Sequence, residues 1–198
     1  MVNGEMKKSA FPNSKFQIHN SIQSAMAFVA LGSNLGDSRE NVLRALGLLQ
    51  SLSGLPLRRS SLWETTPVDC PPGSARFINA VAGLAPCAAE TPQSLLARLH
   101  ALEKQLGRTP KEILNEPRVI DLDLIAFGAQ TMEGPDLVLP HPRAHLRRFV
   151  LQPLSEIAPD YILPGQRNTV AQLLQELVSP ETLRRVADPF PQAGGIPS

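Results

Sequence analysis

Apolar and polar positions along this chain follow two different periods, and the switches between them mark out the elements. Residues 27–31, Ala-Phe-Val-Ala-Leu, form an unbroken apolar run that stops at Gly32, the pattern of a buried strand. Asp37 with Glu40 three residues later resembles a capping box. Val42, Ala45, Leu46 and Leu49 then recur on one face, predicting a helix that ends near Gly54-Leu55-Pro56. Residues 57–66 and 77–82 favour extension and are separated by the turn-forming Cys70-Pro71-Pro72-Gly73, which predicts two antiparallel strands joined by a long loop. Thr91 and Pro92 supply an N-cap and a first-turn proline for a helix carrying Leu95, Leu96, Leu99, Leu102 and Leu106 as far as Gly107. A strand over 119–127 comes next, then a turn at Gly128 and a return strand near 130–132. Proline-rich loops lead to a short helix over 146–157 and an amphipathic one over 170–178. The order strand, helix, strand, strand, helix, strand is that of an α+β fold, with helices packed against a mainly antiparallel sheet. Residues 1–26 read as a flexible N-terminal leader, 27–180 as one domain and 181–198 as a C-terminal tail that frays from Asp188.

Composition narrows the function classes. A chain of 198 residues suits one compact domain with a single activity. With 19 Lys and Arg against 18 Asp and Glu, the net charge of +1 argues against a general nucleic-acid binder, which needs a sustained cationic excess. Any polyanion is therefore expected to be small and held locally. Cys70 and Cys87 make neither a disulfide framework nor a zinc spacing, and read as reduced thiols. No apolar run approaches the roughly 18–20 residues of a membrane span, and the first 26 residues lack the apolar core of a signal peptide. The expected location is the cytosol. The 19 prolines, spread along the chain, predict many forced turns.

The sharpest local pattern is Pro117-Arg118-Val119-Ile120-Asp121-Leu122-Asp123-Leu124-Ile125. On a strand, Asp121 and Asp123 share a face with Cα atoms roughly 6–7 Å apart, while Ile120, Leu122 and Leu124 turn to the core. Two carboxylates on one side of an apolar strand repel each other and are expensive to bury. Divalent cations resolve that conflict: carboxylate oxygens suit Mg²⁺, phosphate oxygens complete its shell, and two ions about 3.5–4 Å apart fit such a pair. Arg118 before the strand and the cluster His141, Arg143, His145, Arg147 and Arg148 after it add the cations that a polyphosphate needs, with some of the cluster expected to be solvated helix face. His141 and His145 are four apart, but Pro142 stands where a zinc protease needs Glu. The run Gly32-Ser33-Asn34-Leu35-Gly36 lacks the endings of the nucleotide loops, so a tight turn presenting Asn34 is expected.

These segments, with Val29-Ala30-Leu31-Gly32-Ser33-Asn34-Leu35-Gly36-Asp37, Phe77-Ile78-Asn79-Ala80, Leu139-Pro140-His141-Pro142-Arg143, Arg147-Arg148-Phe149-Val150-Leu151 and Glu156-Ile157-Ala158-Pro159, together resemble the 6-hydroxymethyl-7,8-dihydropterin pyrophosphokinase family. The resemblance runs in order from about Ala27 to Gly165. It implies a ferredoxin-like α+β fold and a folate-biosynthesis enzyme that moves pyrophosphate from ATP to a reduced hydroxymethylpterin, releasing AMP. It implies two Mg²⁺ ions on Asp121 and Asp123, with Arg108 and Arg118 contacting the phosphates during transfer. ATP-binding positions match Arg118, His141 and Arg147, with Lys111 in the same variable loop. Phe77 and Phe149 match the positions that stack on the pterin, and Asn79 and Thr65 those that read its edge; Trp63 looks more like core. Where the family often has Trp-Gly, this chain has Asn115-Glu116. The loop from Arg108 to Pro117 is expected to be mobile and to close on ATP.

Small molecules are then the only expected partners, ATP and the reduced pterin, with no nucleic acid, no membrane and a monomeric chain. The expected chemistry is in-line attack of the pterin hydroxyl on the β-phosphorus, with no dedicated base in the sequence. Two alternatives stay open: a small nucleotidyltransferase that releases pyrophosphate, and a non-catalytic pterin- or nucleotide-binding module.

Overall fold

The computed structural model describes residues 26–109 and 116–187. Four helices and eight strands occur in chain order among them: β1 (Ala27–Ser33), α1 (Ser38–Leu49), β2 (Arg58–Arg59), β3 (Leu62–Thr65), β4 (Phe77–Leu84), α2 (Pro92–Gln105), β5 (Asp121–Phe127), β6 (Met132–Glu133), β7 (Val138–Leu139), α3 (Arg148–Ile157), α4 (Val170–Glu176) and β8 (Leu183–Val186). Residues 1–25, 110–115, which include Pro110, Lys111 and Asn115, and 188–198 lie outside the described residues. No described helix is long and apolar enough to cross a membrane.

The main sheet runs β5-β1-β4-β3-β8, with β2 also paired to β4, and every pairing is antiparallel. Helix α1 connects β1 to the far side of β4, and α2 connects β4 to the far side of β1. Two split crossovers therefore interleave, the ferredoxin-like arrangement that the resemblance implies. β1 is the central strand and is buried at every position. Ala27, Val29 and Leu31 join Val42, Leu46 and Leu49 of α1 and Leu95 and Leu99 of α2 in one core. Phe28 and Ala30 join Val150, Leu151 and Leu154 of α3 and Val170 of α4 in a second core on the opposite face. Coverage on both faces is why β1 reads as a continuous apolar run and not an alternating one.

β5 carries a bulge. Phe28 pairs with Ala126 and Val29 with Leu124, leaving Ile125 as an extra residue. The bulge lets Ile125 and Ala126 both enter the α3 core, while Leu122, Leu124 and Phe127 stay in the α1–α2 core. Asp121 and Asp123 share the α3 face with Ile125. Among the described residues no strand pairs with the outer edge of β5. Leu122 donates its N–H to Glu103 of α2 at 2.7 Å, and the Ile125 carbonyl accepts the His141 N–H at 2.8 Å. This occupancy explains a departure from the expected return strand: Met132–Glu133 turns away and pairs with Val138–Leu139 in a separate two-stranded sheet.

Other boundaries shift for local reasons. α1 ends at Leu49 and continues as a 3₁₀ turn over Gln50–Leu52, short of Gly54. The helix expected from 146 splits into a 3₁₀ turn, Ala144–Leu146, and α3 from Arg148. The segment read as a tail from 181 contributes β8, which pairs with β3 from Leu62↔Val186 to Thr65↔Leu183. Its two arginines hide the alternation of a half-covered edge strand.

One transverse row of residues crosses four strands of the main sheet. Asp121 lies opposite Gly32, Gly32 opposite Asn79, and Asn79 opposite Trp63. A Cβ on Gly32 would sit 2.7 Å from the Asn79 carboxamide oxygen, so the glycine is required for Asn79 to lie across β1. Replacing Gly32 with Ala is expected to overpack this row by about 1–3 kcal/mol and lower the melting temperature by roughly 2–12 °C. The Asn79 side-chain amide resonances should move at the same time; unchanged resonances would contradict the close approach.

Glu103 gives a second test. Burial pushes its carboxyl from about 4.5 up to about 7, outweighing the opposing Leu122 N–H and Arg108 guanidinium. The folded state then holds this proton more tightly than the unfolded chain. Its contribution to stability is full below about pH 4.5, declines up to about pH 7 and is flat above. Denaturant titrations of the wild type and Glu103→Gln should show the wild type losing stability relative to the variant across that window; parallel pH curves would refute the shift.

Candidate active site

The site lies where β1, β3, β4 and β5 meet the start of α3. Two clefts open there. The narrower, about 600 Å³ of space open to solvent, has Ala30, Leu31 and Gly32 as its floor and Thr65, Phe77, Asn79 and Phe149 among its walls. Thr66, Val68 and Cys70 of the loop after β3 complete it. The wider, about 1100 Å³, is polar and lies between α2 and the β7 region, with Leu96, His100, Glu103, Leu137, His141 and Arg143 among its lining residues. Arg118, Asp121, Asp123 and Arg147 line both. The carboxylate pair and two guanidiniums thus form a shared wall.

Each of these side chains has a local reason for its place. Arg118 is clamped through its backbone: its N–H donates to the Asn34 side-chain oxygen at 2.8 Å, and its carbonyl accepts the Asn34 N–H at 3.1 Å. Asn34 is therefore buried as a brace and is not presented by the turn, whose left-handed residue is Gly36 (φ 68°). His141 is pinned by its own N–H to the β5 bulge. Phe149 opens α3, and Asn79 donates to Thr65 Oγ1 at 2.7 Å, fixing the orientation of its amide.

The electrostatics are those of a desolvated acid pair. Arg118 Nη1 bonds one Asp121 oxygen, and Arg108 Nη1 lies 2.6 Å from the other. Arg108 also bonds the Glu103 carboxylate, so α2 and β5 grip the same guanidinium. Asp123 has no hydrogen bond or ion pair among the described residues. Loss of solvation raises its carboxyl above the usual range, the neighbouring Asp121 pushes the same way, and His141, Arg147 and Arg108 offset this only in part. Burial lowers His141, against the pull of Asp123, with Arg147 and Arg143 pushing the same way as burial. His141 Nδ1 accepts the Arg143 N–H at 3.2 Å, so the neutral ring carries its proton on Nε2 as a donor. The Arg118 guanidinium stands 6.0 Å from the Phe77 ring centre and that of Arg147 stands 5.3 Å from the Phe149 ring centre.

Nearly all the residues singled out from the sequence converge here. Arg108, Arg118, Asp121, Asp123, His141 and Arg147 surround the shared wall or the wider cleft, and Thr65, Phe77, Asn79 and Phe149 line the narrower one. Lys111 lies outside the described residues. His145 and Arg148 line neither cleft, nor does Trp63. Glu103 is masked in the sequence because α2 reads as a leucine helix. Its signal is spacing, for Glu103 continues the buried series Leu95 and Leu99 at four-residue steps, while Leu96 and Leu102 are only half-buried.

The sequence model of the 7,8-dihydro-6-hydroxymethylpterin-pyrophosphokinase family matches residues 28–159, more than half of the chain. Among similar proteins, the 2-amino-4-hydroxy-6-hydroxymethyldihydropteridine pyrophosphokinase of Pseudomonas aeruginosa is 39% identical over 142 residues, covering 71% of this chain and 85% of that protein. The enzyme of the same name from Synechocystis sp. is 36% identical over 151 residues, 76% of this chain and 75% of that one. A similar solved structure is wild-type HPPK-DHPS of Plasmodium falciparum, with a TM-score of 0.59 at 16% identity; the match covers 76% of this chain but only 40% of that longer one. Another, an HPPK-DHPS in complex with substrates, gives a TM-score of 0.62 at 13% identity, over 76% and 42%. The structural likeness supports the fold, and the extent of the sequence match settles membership: this chain belongs to the 7,8-dihydro-6-hydroxymethylpterin-pyrophosphokinase family.

Proposed function

We propose that the chain transfers the pyrophosphoryl group of ATP to the hydroxymethyl oxygen of 6-hydroxymethyl-7,8-dihydropterin in folate biosynthesis. The observation that carries this reading is the shared wall: one polar and one half-apolar cleft meet at Asp121, Asp123, Arg118 and Arg147. A donor and an acceptor seated on opposite sides would meet at that wall. The narrower cleft suits a flat heterocycle, with Phe77 and Phe149 offering aromatic faces and Asn79 and Thr65 reading its edge. The wider cleft suits the nucleotide, with His141, Arg108, Arg118 and Arg147 directed at its phosphates.

The reaction joins the pterin hydroxyl oxygen to the β-phosphorus and breaks the bond from that phosphorus to the oxygen bridging the α-phosphate. AMP leaves with the bond's electron pair, and the hydroxyl proton is released. Asp121 and Asp123 fit two Mg²⁺ ions, since both supply hard oxygen donors and Asp123 is desolvated without a partner. When bound, the ions neutralise phosphate charge. Arg108 and Arg118, which grip Asp121 in this structure, are the cations that turn to the transferring group. The His141 Nε2–H donates toward the phosphates. The chain acts as a monomer in the cytosol on small molecules and not on nucleic acid, in keeping with its net charge of +1.

Incubation with Mg-ATP and 6-hydroxymethyl-7,8-dihydropterin should yield AMP and pterin diphosphate in equal amounts, only when the pterin is present. Release of pyrophosphate, or nucleotide turnover independent of the pterin, would overturn the assignment in favour of a nucleotidyltransferase. Asp121→Ala and Asp123→Asn should each lower kcat by more than roughly 10²-fold, the upper range for losing an outer-shell support of a metal site, with little loss of fold. Mg²⁺ titrations followed by thermal shift should stabilise the wild type and not Asp123→Asn; equal shifts would place the ions elsewhere.

A further inference from the structure

α3 begins without a cap of its own, because the Arg147 side chain makes no capping bond. Its first two N–H groups are instead taken by a residue 32 positions beyond Phe149. Glu181 accepts the Phe149 N–H at 2.9 Å on one carboxylate oxygen and the Arg148 N–H at 3.3 Å on the other. Glu181 is 9% exposed, and its own N–H is held by Ser179 Oγ at 3.2 Å. A buried carboxylate across a helix N-terminus meets both the unpaired donors and the positive end of the dipole.

The next residue fastens the other wall of the narrower cleft. Thr182 donates its N–H to Thr66 Oγ1 at 3.1 Å, and its carbonyl accepts the Thr66 N–H at 3.2 Å. Leu183 then pairs with Thr65, the acceptor of the Asn79 amide. Three successive residues of one segment thus bind Phe149 on one side and Thr65–Thr66 on the other. The segment lies beyond residue 159, where the family match ends.

We propose that Glu181 is a positioning residue of the pterin cleft, holding the Phe149 ring at its working distance from the β3 wall. The inference rests on the assignment of this cleft to the pterin. The Glu181 carboxylate accepts hydrogen bonds from backbone N–H groups, so its removal frees the start of α3 without altering a side chain that meets substrate. On the nucleotide side, His141, Arg108 and Arg118 lie outside the Glu181 contacts, and Arg147 keeps its own N–H on the Ala144 carbonyl.

The test is equilibrium binding of 6-hydroxymethylpterin to the full chain with Mg²⁺ and a non-hydrolysable ATP analogue, alongside steady-state kinetics. Glu181→Ala should weaken pterin binding roughly tenfold, the equivalent of about 1.4 kcal/mol, and raise the pterin KM while the ATP KM stays within about twofold. Glu181→Gln, which keeps an oxygen for the Phe149 N–H, should restore most of the affinity. Glu181→Asp, charged but one methylene short, should weaken binding in the same selective way and serves if the Ala variant does not fold. A lower melting temperature with unchanged pterin affinity in the Ala or Asp variant would overturn the proposal and leave Glu181 a purely structural cap. Phe149→Ala separates the two levels: unchanged pterin binding in that variant would refute the cleft assignment itself.

Discussion

Two carboxylates two residues apart on one face of a strand repel each other, and the rest of the site is arranged around that repulsion. At roughly 6–7 Å and an effective dielectric of about 20, the pair interacts unfavourably by about 2–3 kcal/mol before desolvation is counted. Arg108 and Arg118 answer this at Asp121, one on each oxygen. Asp123 is left with only longer-range help from His141, Arg147 and Arg108, and its carboxyl rises accordingly. The two carboxylates are therefore unequal, Asp121 paired with two guanidiniums and Asp123 held short of partners.

The sheet makes that arrangement possible at the boundary of two clefts. Gly32 and Ala30 on the central strand keep the floor low, so Asn79 can lie across β1 and the clefts can approach the aspartates from opposite sides. The bulge at Ile125 returns β5 to its apolar duty immediately after Asp123, and the same residue's carbonyl anchors His141. One irregularity therefore positions His141 and closes the core beneath the acidic pair.

Much of this was legible in the amino-acid pattern, for identifiable reasons. Period two along 120–124 places Asp121 and Asp123 together without any tertiary information, and the buried run at 27–31 predicts the central strand. The Thr91 cap and Pro92 mark the start of α2 to the residue. What the pattern does not carry is pairing across distance. Asn34 looks like a turn residue because its partner, the Arg118 backbone, is 84 positions away. Glu103 looks like a solvated helix residue until the edge of β5 is placed against it. β8 is short, and Arg184 and Arg185 make it look like part of a tail, although its partner strand borders the narrower cleft. Phe77 and Phe149 are ordinary core candidates by pattern alone; resemblance to the family singled them out, and the structure brings both to one cleft.

The central claim is that donor and acceptor meet across the wall formed by Asp121, Asp123, Arg118 and Arg147. A crystal structure of the chain with Mg²⁺, a non-hydrolysable ATP analogue and 6-hydroxymethylpterin measures this directly. The account predicts the pteridine between Phe77 and Phe149, the β-phosphate at the aspartate pair, and Arg108 and Arg118 moved from Asp121 onto phosphate oxygens. A pteridine bound outside the narrower cleft, or phosphates seated while both arginines still grip Asp121, would contradict it.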